Sequence, residues 1–261
     1  MDSQNTQVLY ILAGPNGAGK TTASKGILPD LNCTEFLNAD EIACTLCPSN
    51  PESVAIEAGR VMLEKIKSCL NNKKTFAIET TLATRSYTRL VNDAKARGYK
   101  VVLFFFWLDS PEIATDRVEE RVREGGHNIP YDVIHRRYWL GLQNLFQRFM
   151  SIVTSWAIYD NNAESELIAN SEGMANYHTY QNILRRLSYD QQTRFLEYVG
   201  TGQGLVNWQL INDSLQRNYE ELLIEKSKKS LPLIVSHFGK PQRVSAPSAL
   251  KLYWSKIKGK Y

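Results

Sequence analysis

Val8-Leu9-Tyr10-Ile11-Leu12-Ala13-Gly14-Pro15-Asn16-Gly17-Ala18-Gly19-Lys20-Thr21-Thr22 carries an apolar, β-branched stretch straight into a glycine-rich loop. A helix-compatible segment, Thr21 to Ile27, runs out of it. Gly14 to Thr21 satisfy every position of the phosphate-binding pattern G-x-x-x-x-G-K-[ST]. Glycines at 14, 17 and 19 let the backbone curl so that successive N–H groups point at phosphate oxygens. A helix opening near Lys20 adds the positive end of its dipole. Gly14, Pro15, Asn16, Gly17, Ala18, Gly19, Lys20, Thr21 and Thr22 are therefore the expected ATP contacts. Lys20 reaches the terminal phosphates in this reading, and the Thr21 hydroxyl ligates Mg²⁺.

Outward from the loop, the first 170 residues alternate strand-like and helix-like segments, which predicts an α/β fold with a mostly parallel sheet flanked by helices. The expected strands are Val8–Ala13, Glu35–Ala39, Thr75–Glu79, Lys100–Leu108 and Trp156–Tyr159. Val101 to Leu108 is apolar at every position, which suits a strand buried on both faces. Helices are expected over Pro51–Leu70, over Leu82–Arg97 with Gly98 at its C-terminal stop, and from Pro111 with Ser110 as N-cap. After about residue 171 the alternation ceases. Tyr180–Leu187, Asp190–Tyr198 and Leu205–Lys228 read as helices, and the last 30 residues read as irregular or as short helices. The expected division is a kinase domain over 1–170 and a mostly helical, basic extension over 171–261.

Composition narrows the class. With 43% hydrophobic and 22% charged residues the 261-residue chain is an ordinary globular sequence. Its eight-residue apolar run is too short to cross a bilayer, and no signal peptide opens the chain, so the cytoplasm is expected. Four cysteines suit a reducing compartment, and the Cys44-x-x-Cys47 pair has no second pair at metal-ligand spacing. The charge is uneven. Residues 226–261 hold nine basic and no acidic side chains, while residues 1–225 hold 22 basic against 27 acidic. A block of like charge is usually a solvated face, but it also suits an acidic partner.

A phosphate-binding loop does not name a reaction. Ligands of open parallel sheets sit beyond the carboxyl ends of the strands, so the polar residues there come first. Asp40 closes one such strand. A carboxylate at that place accepts the proton of an attacking hydroxyl, or holds water of the Mg²⁺ shell, and Asp40 also suits a helix N-cap. Glu79-Thr80-Thr81 closes another strand, where Glu79 and Thr81 are candidates for contacting the substrate. Arg117, Arg121, Arg123, Arg136 and Arg137 crowd one segment, hinged at Gly125-Gly126 and broken at Pro130. Such a segment suits a lid whose arginines neutralise charge on a transferring phosphoryl group, with His127 beside the hinge. Arg117 and Arg121 paired with Glu120 and Glu124 on a solvated helix face is the plainer alternative.

The loop, Asn38-Ala39-Asp40, Glu79-Thr80-Thr81 and the arginine segment with Gly125-Gly126-His127-x-Ile129-Pro130 and Arg136-Arg137-Tyr138, in that order, resemble the zeta-toxin family of P-loop kinases over about residues 7–170. The resemblance implies ATP-dependent phosphorylation of a hydroxyl on a UDP-N-acetylhexosamine-like sugar nucleotide. It implies a role as a toxin and an antitoxin protein as partner. It makes Asp40 the general base and Glu79 and Thr81 substrate contacts, with Lys20 and Arg121 acting on the phosphoryl group. Two departures accompany it. Ala83 stands where the characterised toxins have an arginine after the Glu-x-Thr motif. Their second lid arginine falls near Gly126-His127, so that Arg123, Arg136 or Arg137 would supply the charge here.

Other classes remain in view. A transporter-type ATPase needs a Leu-Ser-Gly-Gly-Gln-like signature, to which Gly200-Thr201-Gly202-Gln203-Gly204 is the nearest approach. A kinase of nucleotides or polynucleotide ends is the nearer alternative, its basic tail holding phosphates while Phe238, Tyr253 and Trp254 stack bases. The tail also suits docking on a partner, or folding back over the site.

Overall fold

The computed structural model describes residues 6–126, 128–174, 206–237 and 239–258, with positions 181, 191, 198, 199 and 204 between them. His127, Phe238, Gly200–Gln203 and most of the two helices expected over 180–198 lie outside the described residues. Nine strands are assigned among the described residues: β1 Val8–Ala13, β2 Glu35–Leu37, β3 Phe76–Thr80, β4 Lys100–Trp107, β5 Ser155–Asp160, β6 Glu166–Asn170, β7 Gly173–Met174, β8 Pro232–His237 and β9 Lys240–Ser245. The helices are α1 Lys20–Asp30, α2 Ala39–Leu46, α3 Ala55–Asn71, α4 Ser86–Ala96, α5 Pro111–Arg123, α6 Tyr131–Asn144, α7 Trp208–Lys228 and α8 Ala246–Lys258. A π-helical stretch, Leu145–Phe149, carries α6 on to Ile152. No described helix is long and apolar enough to cross a membrane.

Seven strands form one sheet in the order β2-β3-β1-β4-β5-β6-β7, parallel from β2 to β5 and antiparallel beyond. Its centre is dry: Leu9, Ile11, Leu12 and Phe104 to Phe106 are buried, and each such side chain contributes about 1.5–3 kcal/mol by leaving water. The register sets the site. Leu12 pairs with Glu79 and Ala13 with Thr80, while Trp107 pairs with Asp160, so the carboxyl ends of β3, β1, β4 and β5 finish side by side.

Two expected elements are cut short for local reasons. The strand read over Glu35–Ala39 ends at Leu37 because the Asn38 side chain turns to cap α2, accepting from the Asp40 backbone N–H at 2.9 Å. The helix read from Leu82 begins at Ser86. Leu82 has φ +59, outside the helical region, and its N–H is taken by the Thr80 hydroxyl at 3.0 Å.

The C-terminal part is mostly helical, as expected, with α7 over the segment read as Leu205–Lys228, but one piece of it departs from expectation. Pro232–Ser245, read as irregular or helical, is an antiparallel hairpin of β8 and β9 standing apart from the main sheet. Pro232 starts its strand and Pro241 lies in a two-stranded ribbon with open edges, the places where a strand tolerates a residue without an N–H. α7 joins this hairpin to the rest. Trp208, Ile211 and Leu215 in its first half belong to the main core, with Trp208 edge-on to Phe104 at 6.1 Å. Leu223 in its second half belongs to a small second core with Leu233, Ala246, Leu250 and Tyr253.

Candidate active site

Between β1 and α1 the chain makes the expected curl, with positive φ at Gly14, Gly17 and Gly19. Gly17 is also a place of close approach. A Cβ there would stand 2.8 Å from the Ala114 carbonyl oxygen and 3.0 Å from the Arg117 Cβ, so α5 packs directly on the loop. Three side chains from distant segments hold loop carbonyls: an Arg117 guanidinium N–H donates to Gly17 at 3.4 Å, Asn161 donates to Ala18 at 2.5 Å, and Asn218 donates to Thr22. These bonds fix the loop carbonyls in place, while within the loop the Ala18 N–H closes on the Pro15 carbonyl at 3.2 Å.

Lys20 is buried, 5% exposed, and its ammonium donates to the Pro15 carbonyl at 2.9 Å and pairs with Glu79 Oε1 at 3.6 Å. Burial pulls its pKa below the ordinary lysine value, against the opposing pull of Glu79 and Asp40. The other Glu79 oxygen accepts from the Thr21 hydroxyl at 2.7 Å and from the Asn38 amide at 3.0 Å. Glu79 thus gathers the lysine and the threonine of the loop. Asp40, second residue of α2, lies beside this group, as does Glu41, whose pKa is raised by burial and by the charges of Glu79 and Asp40.

All of these face one cavity of about 620 Å³. Arg121 lines it too, together with Arg117, Glu120 and Glu124 of the same segment. Helical spacing explains the selection: positions 117, 121 and 124 share a face, whereas 123 lies about 200° round from 121. Arg123 accordingly points outward, pairing with Glu120 at 2.7 Å and Glu119 at 3.4 Å. Arg136 is exposed and Arg137 half-buried on α6, and neither lines the cavity. Thr81 is also absent from the wall, its carbonyl packed against Gly141. The structure therefore brings Asn16, Gly17, Gly19, Lys20, Thr21, Thr22, Asp40, Glu79 and Arg121 to the cavity, and leaves Gly14, Pro15 and Ala18 of the loop, as well as Thr81, Arg123 and Arg136, out of its wall.

Arg117 is not a surface partner of Glu120 or Glu124. It is half-buried and spans three segments, donating to Gly17, to the Asn162 carbonyl at 2.8 Å and to the Ile234 carbonyl of β8 at 2.9 Å. Burial draws its pKa down to about 10, so it stays cationic at neutral pH. The two glutamates are paired elsewhere: Glu124 with Lys226 at 2.5 Å, and Glu120 with Arg243 at 2.7 Å as well as with Arg123. Part of the acidic partner suited to the basic tail is thus the chain's own α5.

The opposite wall was missed by sequence reasoning. It consists of Asn161, Ala163 and Ser165 after β5, Leu215, Asn218, Tyr219, Leu222 and Lys226 of α7, and Pro232 to Val235 of β8. One signal was available. Asp160-Asn161-Asn162 is a polar exit from a buried strand, the same feature that singled out Asp40 and Glu79. Nothing local marks the residues of α7 or β8.

A hydroxyl beside a carboxylate and a phosphate-binding loop is a hard-oxygen environment, and the Thr21 oxygen keeps a lone pair for a cation while its proton goes to Glu79. The residues fit a nucleotide with Mg²⁺. Among the described residues no group of three or more His, Cys, Asp or Glu forms a separate metal site, and Cys44 and Cys47 are free thiols.

Comparison with known proteins places residues 1–172 under the family model described as Zeta toxin. An uncharacterized protein of Haemophilus influenzae is 30% identical over 135 residues, 52% of this chain and 94% of that protein. Two solved structures share the fold. One comes from the PezAT chromosomal toxin-antitoxin system of Streptococcus pneumoniae, with TM-score 0.53 and 17% identity over 85% of this chain and 89% of that one. The other is from the AvrRxo1-ORF1:AvrRxo1-ORF2 complex with sulphate ions, with TM-score 0.55 and 16% identity over 95% of this chain and 80% of that one.

Proposed function

The chain belongs to the zeta-toxin family of P-loop kinases, and from that premise we propose that it transfers the γ-phosphate of ATP to a hydroxyl of a UDP-N-acetylhexosamine-like sugar nucleotide. The observation that supports this reading is the grouping of Lys20, Thr21 and Glu79 in one hydrogen-bonded cluster facing the same cavity as Asp40 and Arg121. The loop N–H groups and Lys20 hold the triphosphate. Asp40 takes the proton from the acceptor hydroxyl as its oxygen bonds to the γ-phosphorus, and the β–γ bridging oxygen leaves with ADP. Lys20 and Arg121 balance the charge on the transferring group. Glu79 keeps Thr21 and Lys20 in position. Mg²⁺, held through the Thr21 hydroxyl and the phosphates, supplies further neutralisation when bound. Thr81, with Arg123 or Arg136, would join the site only if the lid segment moves over the acceptor.

The likeness to a toxin of a toxin–antitoxin system supports a toxic activity restrained by a small antitoxin. A polynucleotide acceptor gains less support, because Lys226, Lys229 and Arg243 of the basic tail are engaged in ion pairs within the chain. The test is incubation of the full chain with ATP, Mg²⁺ and UDP-N-acetylglucosamine, read by mass spectrometry. A sugar nucleotide heavier by one phosphoryl group is expected, with kcat reduced roughly 10²–10⁴-fold in Asp40→Asn while ATP affinity holds. ATP binding without that product, at any enzyme level, would refute the acceptor class.

A further inference from the structure

In-line transfer requires the attacking and leaving oxygens on opposite sides of the phosphorus. In the kinase reading, on which the inference rests, Asp40 and Glu79 fix the acceptor side. They come from the ends of β2 and β3, on one flank of β1. The leaving nucleotide then extends over the other flank, beyond β4 and β5. That region is the wall formed by Asn161, Ala163 and Ser165 with α7 and β8.

The two sides of the cavity differ in chemistry. Toward the acceptor stand Asn38, Asp40, Glu41 and Glu79; toward α7 and β8 stand Leu215, Tyr219, Leu222, Leu233 and Val235, with Asn218 and Lys226 among them tied to the Thr22 carbonyl and to Glu124. Leu215 and Leu233 are buried in the two cores, but Tyr219, Leu222 and Val235 are only half-buried and keep apolar surface toward the cavity. Half-exposed apolar side chains in a cavity continuous with a phosphate site suit a ligand with charged phosphates at one end and a flat, weakly polar ring at the other.

This wall is held in place by bonds to the loop. Asn218 donates to the Thr22 carbonyl at the start of α1, and Arg117 links the Gly17 and Ile234 carbonyls. The Ser236 N–H donates to the Asn162 carbonyl at 3.2 Å, and the Asn162 side chain accepts from the Asp109 N–H at 2.9 Å. The spacing between phosphate site and apolar wall is therefore preorganised.

We propose that α7 and the β8–β9 hairpin are the nucleobase-recognition element of this kinase, with Tyr219, Leu222 and Val235 forming the slot for the purine ring of the phosphate donor. These residues lie outside the segment that matches the family model, so donor selectivity is a property of this chain's own C-terminal part.

The experiment measures binding of MgATP and of magnesium tripolyphosphate to the full-length protein and to Leu222→Asn and Val235→Thr. Tripolyphosphate carries the same phosphates without a base. Wild type is expected to favour ATP by roughly tenfold or more, and each variant to lose most of that preference while its tripolyphosphate affinity stays within about twofold. Val235→Thr is nearly isosteric and guards against loss of fold. Equal binding of the two ligands by wild type would overturn the proposal and leave the phosphate site standing. Parallel losses for both ligands, or a gain in ATP affinity in the variants, would also overturn it, the second marking the wall as an obstruction. Absence of binding for both ligands would overturn the kinase reading itself.

Discussion

Asp40, Glu79 and Lys20 stand on one side of the phosphate-binding loop, Tyr219, Leu222 and Val235 on the other, and the two sides reach the same cavity by different routes. The first side is assembled from residues near a strand end or within the loop, in the segment matching the family model. Its chemistry is charge against charge: Lys20 is buried, the half-buried Glu79 accepts from Thr21 and Asn38, and Asp40 is exposed beside them. The second side comes largely from beyond residue 200, is mostly apolar, and owes its position to a few long-range bonds. A charged constellation tolerates little displacement, so its residues are tied to rigid strand termini. An apolar wall needs only shape, and a helix with a hairpin supplies it. Under the proposed function, reaction chemistry and ligand selection would thus be carried by separate stretches of sequence.

Damage to the charged side should have the largest effect. Lys20→Ala removes the loop's only side-chain cation and leaves the Glu79 charge buried without its partner. Phosphoryl transfer should fall by roughly 10³-fold or more and MgATP binding should weaken severely in titration calorimetry. Retention of transfer within about tenfold of wild type would show that the two sides do not divide the work as described.

The seam between the sides is Arg117. Arg117→Met keeps the volume but strands the carbonyls of Gly17, Asn162 and Ile234 without their donor. A loss of about 2–4 kcal/mol is expected in urea unfolding, with Arg117→Lys recovering only part of it because one ammonium cannot span three segments. If instead the variant is as stable as wild type but loses transfer, Arg117 belongs to the charged side.

A milder cut separates packing from charge on the apolar side. Lys226→Met removes the partner of Glu124 in a pair largely shielded from solvent, with side chains 17% and 25% exposed. About 1 kcal/mol of stability should be lost at low salt, and less at high salt, where screening shortens the reach of the pair. No salt dependence of that difference would mean that α7 is held to α5 by packing alone.

Legibility in the sequence divides along the same line. The loop spelled out its own conformation through three glycines, and the strand ends bearing Asp40 and Glu79 were found because a polar residue leaving a buried strand is conspicuous. The same rule applied to Asp160-Asn161-Asn162 would have found Asn161, which holds the loop at Ala18. The arginine segment was legible as a group but not member by member. Which arginine enters the cavity depends on the rotation of α5 about its axis, set by packing of Ile113, Ala114 and Val118 into the core. The hairpin was hidden by its prolines and by the basic side chains of β9.

What acts over short range could be read from the chain itself: the phosphate cradle, the parallel sheet that presents it, and the carboxylates at neighbouring strand ends. These follow from backbone conformation and strand periodicity, which adjacent residues dictate. Folding in three dimensions was needed to make Arg117 a tie between three segments, to neutralise part of the basic tail with α5, and to close the cavity with a helix and hairpin from the last fifth of the chain. Those outcomes rest on contacts between residues more than 100 positions apart, such as Arg117 with Ile234 and Asn218 with Thr22. Such contacts leave no local trace, because Arg117 and Asn218 each read alone as an ordinary polar side chain on a helix, and the groups they hold are backbone carbonyls.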